Sequence, residues 1–144
     1  MKILIFGLPG SGKTTLAKPF ADLINGVHIN ANAVREKYND WDFSDEGRMR
    51  QAARMRHLAD GVSMAGKIAI TDFVCPFQKA RDEFEPDYVI WMNTIEAGRF
   101  EDTNKVFEAP DVDGIDYIVD AFRPQEELKL APILEKVFAQ WQRR

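Results

Sequence analysis

Gly7-Leu8-Pro9-Gly10-Ser11-Gly12-Lys13-Thr14 sets glycines, a lysine and a hydroxyl at the spacing GxxxxGK[ST], directly behind the apolar run Ile3-Leu4-Ile5-Phe6. Each residue type has a use on a polyphosphate. Glycines let successive backbone N–H groups turn inward as an anion nest, Lys13 reaches the outer phosphates, and the Thr14 hydroxyl meets Mg²⁺. Gly7, Pro9, Gly10, Ser11, Gly12, Lys13, Thr14 and Thr15 are the expected contacts. The helix that follows adds its N-terminal dipole to the same anion.

If the γ-phosphate of ATP lies against Lys13, a second ligand must be held at the ends of the neighbouring strands. Asn30, Asn32, Arg35, Asp72 and Phe73 follow the second and third apolar runs and are the candidates. Asp72 reads as a metal-side ligand or base, with a helix cap or solvated strand end as the plain alternative. Arg35, Arg48 and Arg54 could grip an acceptor's anionic groups with two parallel N–H bonds each, or lie on a solvated helix face. For Arg50 and Arg56 the solvated face is the better reading. Phe43 suits either stacking on a base or core packing. His28 and His57 have no partner at nucleophile or metal spacing and read as structural. Cys75 reads as an inert buried thiol, and Trp41, Trp91 and Trp141 as packing residues.

Net charge is −4, yet Gly47 to His57 carries Arg48, Arg50, Arg54 and Arg56 and no acid. Removing those four from the 19 basic residues leaves 15 against 23 acids, a balance of −8 in the remainder. A nucleic-acid groove needs more and better-spread basic charge. A small anionic acceptor needs only this stretch. The single cysteine precludes an intramolecular disulfide and fits a reducing compartment, so the cytoplasm is expected. No stretch approaches the roughly 18 apolar residues of a membrane span. The apolar run after Met1-Lys2, closed by the glycine-rich loop, reads as a buried strand rather than a secretory signal.

These residues need a frame that brings strand ends together. Lys2 to Phe6, Val27 to Ile29, Ile68 to Thr71, Tyr88 to Met92 and Tyr117 to Val119 read as short buried strands. Between them, helices are expected over Lys13 to Asn25, closed by Gly26; Ala33 to Lys37; Ser44 as cap through about Ala65; and Gln78 to Phe84. A last helix covers Glu126 to Trp141, with Pro132 expected to kink or break it. Strands alternating with helices predict an α/β fold, a five-stranded parallel sheet with helices on both faces, in one domain spanning 1–144. The ligands belong at the carboxyl ends of the strands. Thr94 to Asp116 is the least regular stretch, expected as a short helix and a loop near the phosphates.

Taken together, Gly7 to Ala17, Val34-Arg35, Phe43-Ser44-Asp45-Glu46-Gly47-Arg48, Arg54, Thr71 to Asp82 and Phe107-Glu108-Ala109-Pro110 resemble the adenylylsulfate kinase family of P-loop kinases. The resemblance implies the P-loop NTPase fold and transfer of the ATP γ-phosphate to the 3′-hydroxyl of adenylyl sulfate, with Mg²⁺; on the residues themselves, Thr14 and Asp72 are expected to hold the metal. It also implies that Arg35 and Arg48 hold the acceptor's anionic groups and that Phe43 stacks on its adenine. Lys13, Asp72 and Asn32 are the expected catalytic set; Asn30, Arg54, Phe73, Lys105 and Phe107 join the acceptor contacts, and a homodimer is open. The chain departs from the family where Asn30-Ala31-Asn32 stands for Asp-Gly-Asp, Gln51 for an asparagine, Cys75 for a serine and Asp72 for a small residue. An amide cannot accept the hydroxyl proton at neutral pH. Asp72, one strand away, is the carboxylate expected to compensate. Gly98 to Phe107 replaces the family's longer basic lid, which leaves three readings of the acceptor side open: adenylyl sulfate, another nucleotide or sugar, or a nucleotide-binding regulatory module without transfer. A GTPase switch is disfavoured because Asn104-Lys105-Val106-Phe107 lacks the guanine-reading acid.

Overall fold

The computed structural model describes every residue from Met1 to Arg144. Five parallel strands, β1 (Lys2–Phe6), β2 (Val27–Asn30), β3 (Ala69–Phe73), β4 (Tyr88–Met92) and β5 (Tyr117–Val119), form one sheet in the order β2-β3-β1-β4-β5. Every residue of β1 and β3 is buried, as strands covered on both faces must be. One core lies on the side of helices α1 (Lys13–Ile24) and α6 (Glu126–Gln142), built on Ile3, Ile5, Phe20, Ile70, Ile90 and Leu134. The other lies under α2 (Ala31–Tyr38), α3 (Asp45–Met64) and α4 (Gln78–Phe84), built on Leu4, Phe6, Met55, Phe73 and Phe84. A short helix α5 (Glu101–Val106) and a 3₁₀ turn at Val112–Gly114 fill the stretch between β4 and β5. No helix is long and apolar enough to cross a membrane.

Local chemistry moved several expected boundaries. Asn25, not Gly26, takes the left-handed position that ends α1, with φ 55°. Gly26 is required for space instead: a Cβ there would lie 2.1 Å from Ile70 Cδ1. α2 begins two residues earlier than expected because the Asn30 side chain caps it, accepting from Ala33 N–H at 3.0 Å. β3 continues two residues past Thr71, pairing Asp72 with Ile5 and Phe73 with Phe6, so both lie inside the strand rather than after it. α6 runs unbroken through Pro132. The proline leaves the Leu128 carbonyl without its helical donor, and Leu128 is exposed, so water can supply one.

Candidate active site

The glycine-rich loop turns from β1 into α1 at the centre of the sheet, between the ends of β3 and β4. Gly12 stands at φ 95° as the cap of α1, a conformation that costs glycine little and leaves the helix N–H groups open to an anion. Lys13 is buried and folds back to donate from Nζ to the Leu8 carbonyl at 3.0 Å. Burial pulls its ammonium from 10.5 to about 8, against the opposing pull of Asp72. Ser11 Oγ is buried in the loop with no partner, an orphan that a bound phosphate would satisfy.

Asp72, 2% exposed, is the hub beside the loop. Its Oδ1 accepts from the Thr14 hydroxyl at 3.2 Å, while Asn30 Nδ2 approaches both carboxylate oxygens at 3.4 Å and donates to Thr14 Oγ1 at 3.2 Å. The Oδ2 atom takes a close contact from His28 Nε2. Sequence reading left His28 without a partner because the partner lies 44 positions away. The strand register was the usable signal: Asn30 pairs with Asp72, and His28, two residues back on β2, shares its face. No group of three or more His, Cys, Asp or Glu side chains is arranged to hold a metal alone. One hydroxyl and one carboxylate beside a phosphate loop fit Mg²⁺ that arrives on a nucleotide and keeps several waters.

A cleft of about 770 Å³ opens over this hub, lined on one side by Pro9, Gly10, Gly12, Lys13, Thr14 and Thr15. Across it stand Asn30, Asn32, Phe43, Arg48, Asp72 and Phe73. Trp41, Arg99, Phe100 and Phe122 also line it; of these, Trp41, Phe100 and Phe122 were not anticipated there. Trp41 is 51% exposed at the cleft mouth, so the packing role expected for it is corrected. Trp91 does pack, stacked on Phe6, and Trp141 on Phe138. Arg48 donates from Nε to the Phe43 carbonyl at 2.9 Å and from Nη2 to Thr103 Oγ1 at 3.0 Å, so its remaining N–H groups are free for a ligand.

Four expected acceptor contacts lie elsewhere. Arg35 spends Nη1 on the carbonyls of Asp40 and Asp42, at 2.9 and 3.2 Å, and its guanidinium covers the Phe43 ring from 4.2 Å. It shapes the loop that carries Phe43 and does not line the cleft. Arg54 is ion-paired to Asp40 at 2.6 Å and lies over Tyr38, because the loop before α3 offers it a carboxylate nearer than the cleft. Asp40 also holds Arg50, and the two guanidiniums keep its carboxyl well below the usual range. Lys105 is exposed on α5 and outside the cleft. Phe107 stacks on Phe6 at 6.3 Å and belongs to the second core.

Arg81, not expected in any role, clasps the loop after β3. It lies 4.3 Å from the Phe6 ring and donates to the carbonyls of Cys75, Pro76 and Glu108. Cys75 is held at φ 44°, and burial pushes its thiol up to about 12, so it is chemically inert at neutral pH.

A parallel sheet ordered 2-3-1-4-5, with a GxxxxGK[ST] loop between β1 and α1 and an acid on β3, defines a P-loop nucleotide-binding protein. The sequence model of adenylylsulphate kinases matches residues 1–94. The chain belongs to that family. It is 31% identical over 113 residues to the probable adenylyl-sulfate kinase of Bacillus subtilis, covering 74% of this chain and 52% of that one. It is 33% identical over 89 residues to the probable adenylyl-sulfate kinase of Aeropyrum pernix, covering 56% and 47%. The chain thus spans about half the length of the curated relatives it matches. Its fold is that of the Mycobacterium tuberculosis APS kinase solved in complex with AMPPNP and APS: TM-score 0.78 at 16% identity, over 93% of this chain and 96% of that one.

Proposed function

We propose that this chain is a single-domain, ATP-dependent kinase that transfers the γ-phosphate to a hydroxyl of adenylyl sulfate or a related nucleotide-like acceptor. The observation that carries the reading is that one cleft joins the phosphate loop to Arg48, Phe43 and the Asp72 hub. The loop N–H groups and Lys13 grip the β- and γ-phosphates, which fixes the electrophile. Mg²⁺, when bound at Thr14 and Asp72, neutralises phosphate charge as it develops. Arg48 draws the acceptor's anionic group to the opposite wall, with Phe43 and Trp41 offering faces to its base. Asp72 is the carboxylate nearest the transfer and takes the place of the acid that Asn30 and Asn32 lack. The partners are then ATP and a small anion rather than a nucleic acid, in the cytoplasm, with a homodimer compatible.

A thermal-shift panel of adenylyl sulfate, other nucleoside phosphates and sugars, each with ADP and Mg²⁺, tests the acceptor class, because a ligand that binds only the folded state raises its stability. A selective rise with adenylyl sulfate is expected. A rise with a sugar alone would overturn the nucleotide reading. Arg48→Ala should raise the acceptor KM about tenfold or more, the loss of a charge-assisted pair. Arg54→Ala should leave that KM unchanged, since its partner is Asp40. Steady-state kinetics on both variants separate the two arginines.

A regulatory module that binds nucleotide without transfer is the second reading. It is favoured by Asn30, whose Oδ1 is committed to capping α2 and whose amide cannot take a proton. Asn32→Asp discriminates. Asn32 is exposed in the first turn of α2 and lines the cleft, so an acid there is tolerated and also complements the helix dipole. A severalfold gain in turnover is expected if the site is catalytic; acquisition of turnover from none would favour the regulatory module.

A further inference from the structure

We propose that His28 is a positioning residue for Asp72, fixing which carboxylate oxygen is presented to Thr14 and the metal side of the site. The inference rests on the reading of Asp72 given above. Asp72 is almost wholly buried, and a buried carboxylate needs hydrogen-bond donors on both oxygens. The Asn30 amide is long on both, at 3.4 Å, so it does not choose between them. The Thr14 hydroxyl is on Oδ1. His28 Nε2 is the close partner on Oδ2, and a separate partner on each oxygen holds the carboxylate against turning about its Cβ–Cγ bond. The donor assignment follows from the acceptor being a carboxylate.

The surrounding sequence explains why such a residue is needed here. The carboxylate stands on β3 rather than after β2, and the β2 position that faces it across the register is Asn30. A carboxylate at both positions would place like charges side by side. The neutral amide removes that repulsion but holds Asp72 only loosely. His28, on the same face of β2 and 16% exposed at its side chain, supplies the missing fixed donor without entering the cleft. A histidine that merely satisfied a buried acid would affect folding alone. One that orients it also sets how well the site takes Mg²⁺, as outer partners of metal-side ligands do.

The experiment is a double-mutant cycle read by calorimetric binding of ADP, with and without Mg²⁺. The metal-free affinity, which depends on the loop and Lys13, serves as the control for folding. His28→Leu should lower the Mg²⁺ enhancement of ADP binding about 10- to 100-fold and leave metal-free binding unchanged. His28→Gln, which keeps an amide donor near the position of Nε2, should recover most of that loss. In an Asp72→Asn background, which removes the buried charge, His28→Leu should have no further effect. The proposal is overturned if His28→Leu keeps the wild-type Mg²⁺ enhancement, or if its cost persists undiminished in the Asp72→Asn background. Should His28→Leu not fold, His28→Gln decides: an enhancement as low as that of Asp72→Asn overturns the proposal. If Asp72→Asn itself leaves the enhancement unchanged, the metal-side reading of Asp72 falls as well. If only the His28 variants are silent, that reading stands.

Discussion

Lys13→Ala is expected to lower kcat/KM for ATP by about 10²–10³-fold, the effect of removing one preorganised charge from a transferring group. The ammonium is buried, so its field on a phosphate is little screened by water. Nζ donates to the Leu8 carbonyl, a neutral acceptor that a phosphate oxygen would outcompete. Burial lowers the folded-state value to about 8 from 10.5, which gives the prediction a pH signature. Below about 8 the folded and unfolded chains both carry the charge, and the folded one bears the full cost of burying it. Between about 8 and 10.5 the unfolded chain binds more protons at Lys13, so the Lys13 contribution to stability should rise with pH through that window, while the buried Cys75 thiol, pushed up to about 12, contributes in the opposite sense. ADP affinity should fall over the same window, because the neutral amine no longer attracts phosphate. Thermal melts and ADP titrations at pH 7 to 10, run side by side on the wild type and Lys13→Ala, isolate the two opposed Lys13 contributions as the difference between the two proteins.

Gly7→Ala should destabilise the protein by about 2–5 kcal/mol, combining overpacking with backbone strain. An added Cβ would sit 2.7 Å from the Met92 carbonyl and 2.9 Å from Ser11 Oγ, at a φ of 156° that side chains rarely adopt. The Met92 oxygen is the backbone of β4 and cannot yield. The loop must move instead, carrying its N–H groups off the phosphate position. Chemical denaturation gives the stability, and ADP titration the loss of binding. Gly10→Ala is the control, because its Cβ would meet nothing within 4 Å; its φ of 84° costs strain without a clash.

The donor half of the site was legible because its chemistry is local. A nest of N–H groups, a lysine and a hydroxyl are all specified within eight consecutive residues, and the strand before them and the helix after them follow from periodicity. The acceptor half depends on residues far apart in the chain. Arg35, Arg48 and Arg54 look alike in sequence, yet only Arg48 lines the cleft; the carbonyls of Asp40 and Asp42 and the Asp40 carboxylate take the other two. A loop's backbone acceptors leave no mark in a pattern of residue types. His28 was missed for a related reason, since pairing with Asp72 follows from strand register and not from spacing. Trp41 reads as a packing residue in the sequence and Phe122 carries no reading there, because an aromatic side chain at a cleft mouth and one in a core share the same local sequence character.

The proposed transfer reaction places the Asp72 hub and the Arg48 wall at work together within one cleft. Following the label from [γ-³²P]ATP, with adenylyl sulfate present or absent and Mg²⁺ throughout, tests it most directly. Acceptor-dependent transfer to the nucleotide is predicted, abolished in Lys13→Ala and strongly reduced in Asp72→Asn. Label that stays on ATP with every acceptor, while ADP binds tightly to the same preparation, would contradict it.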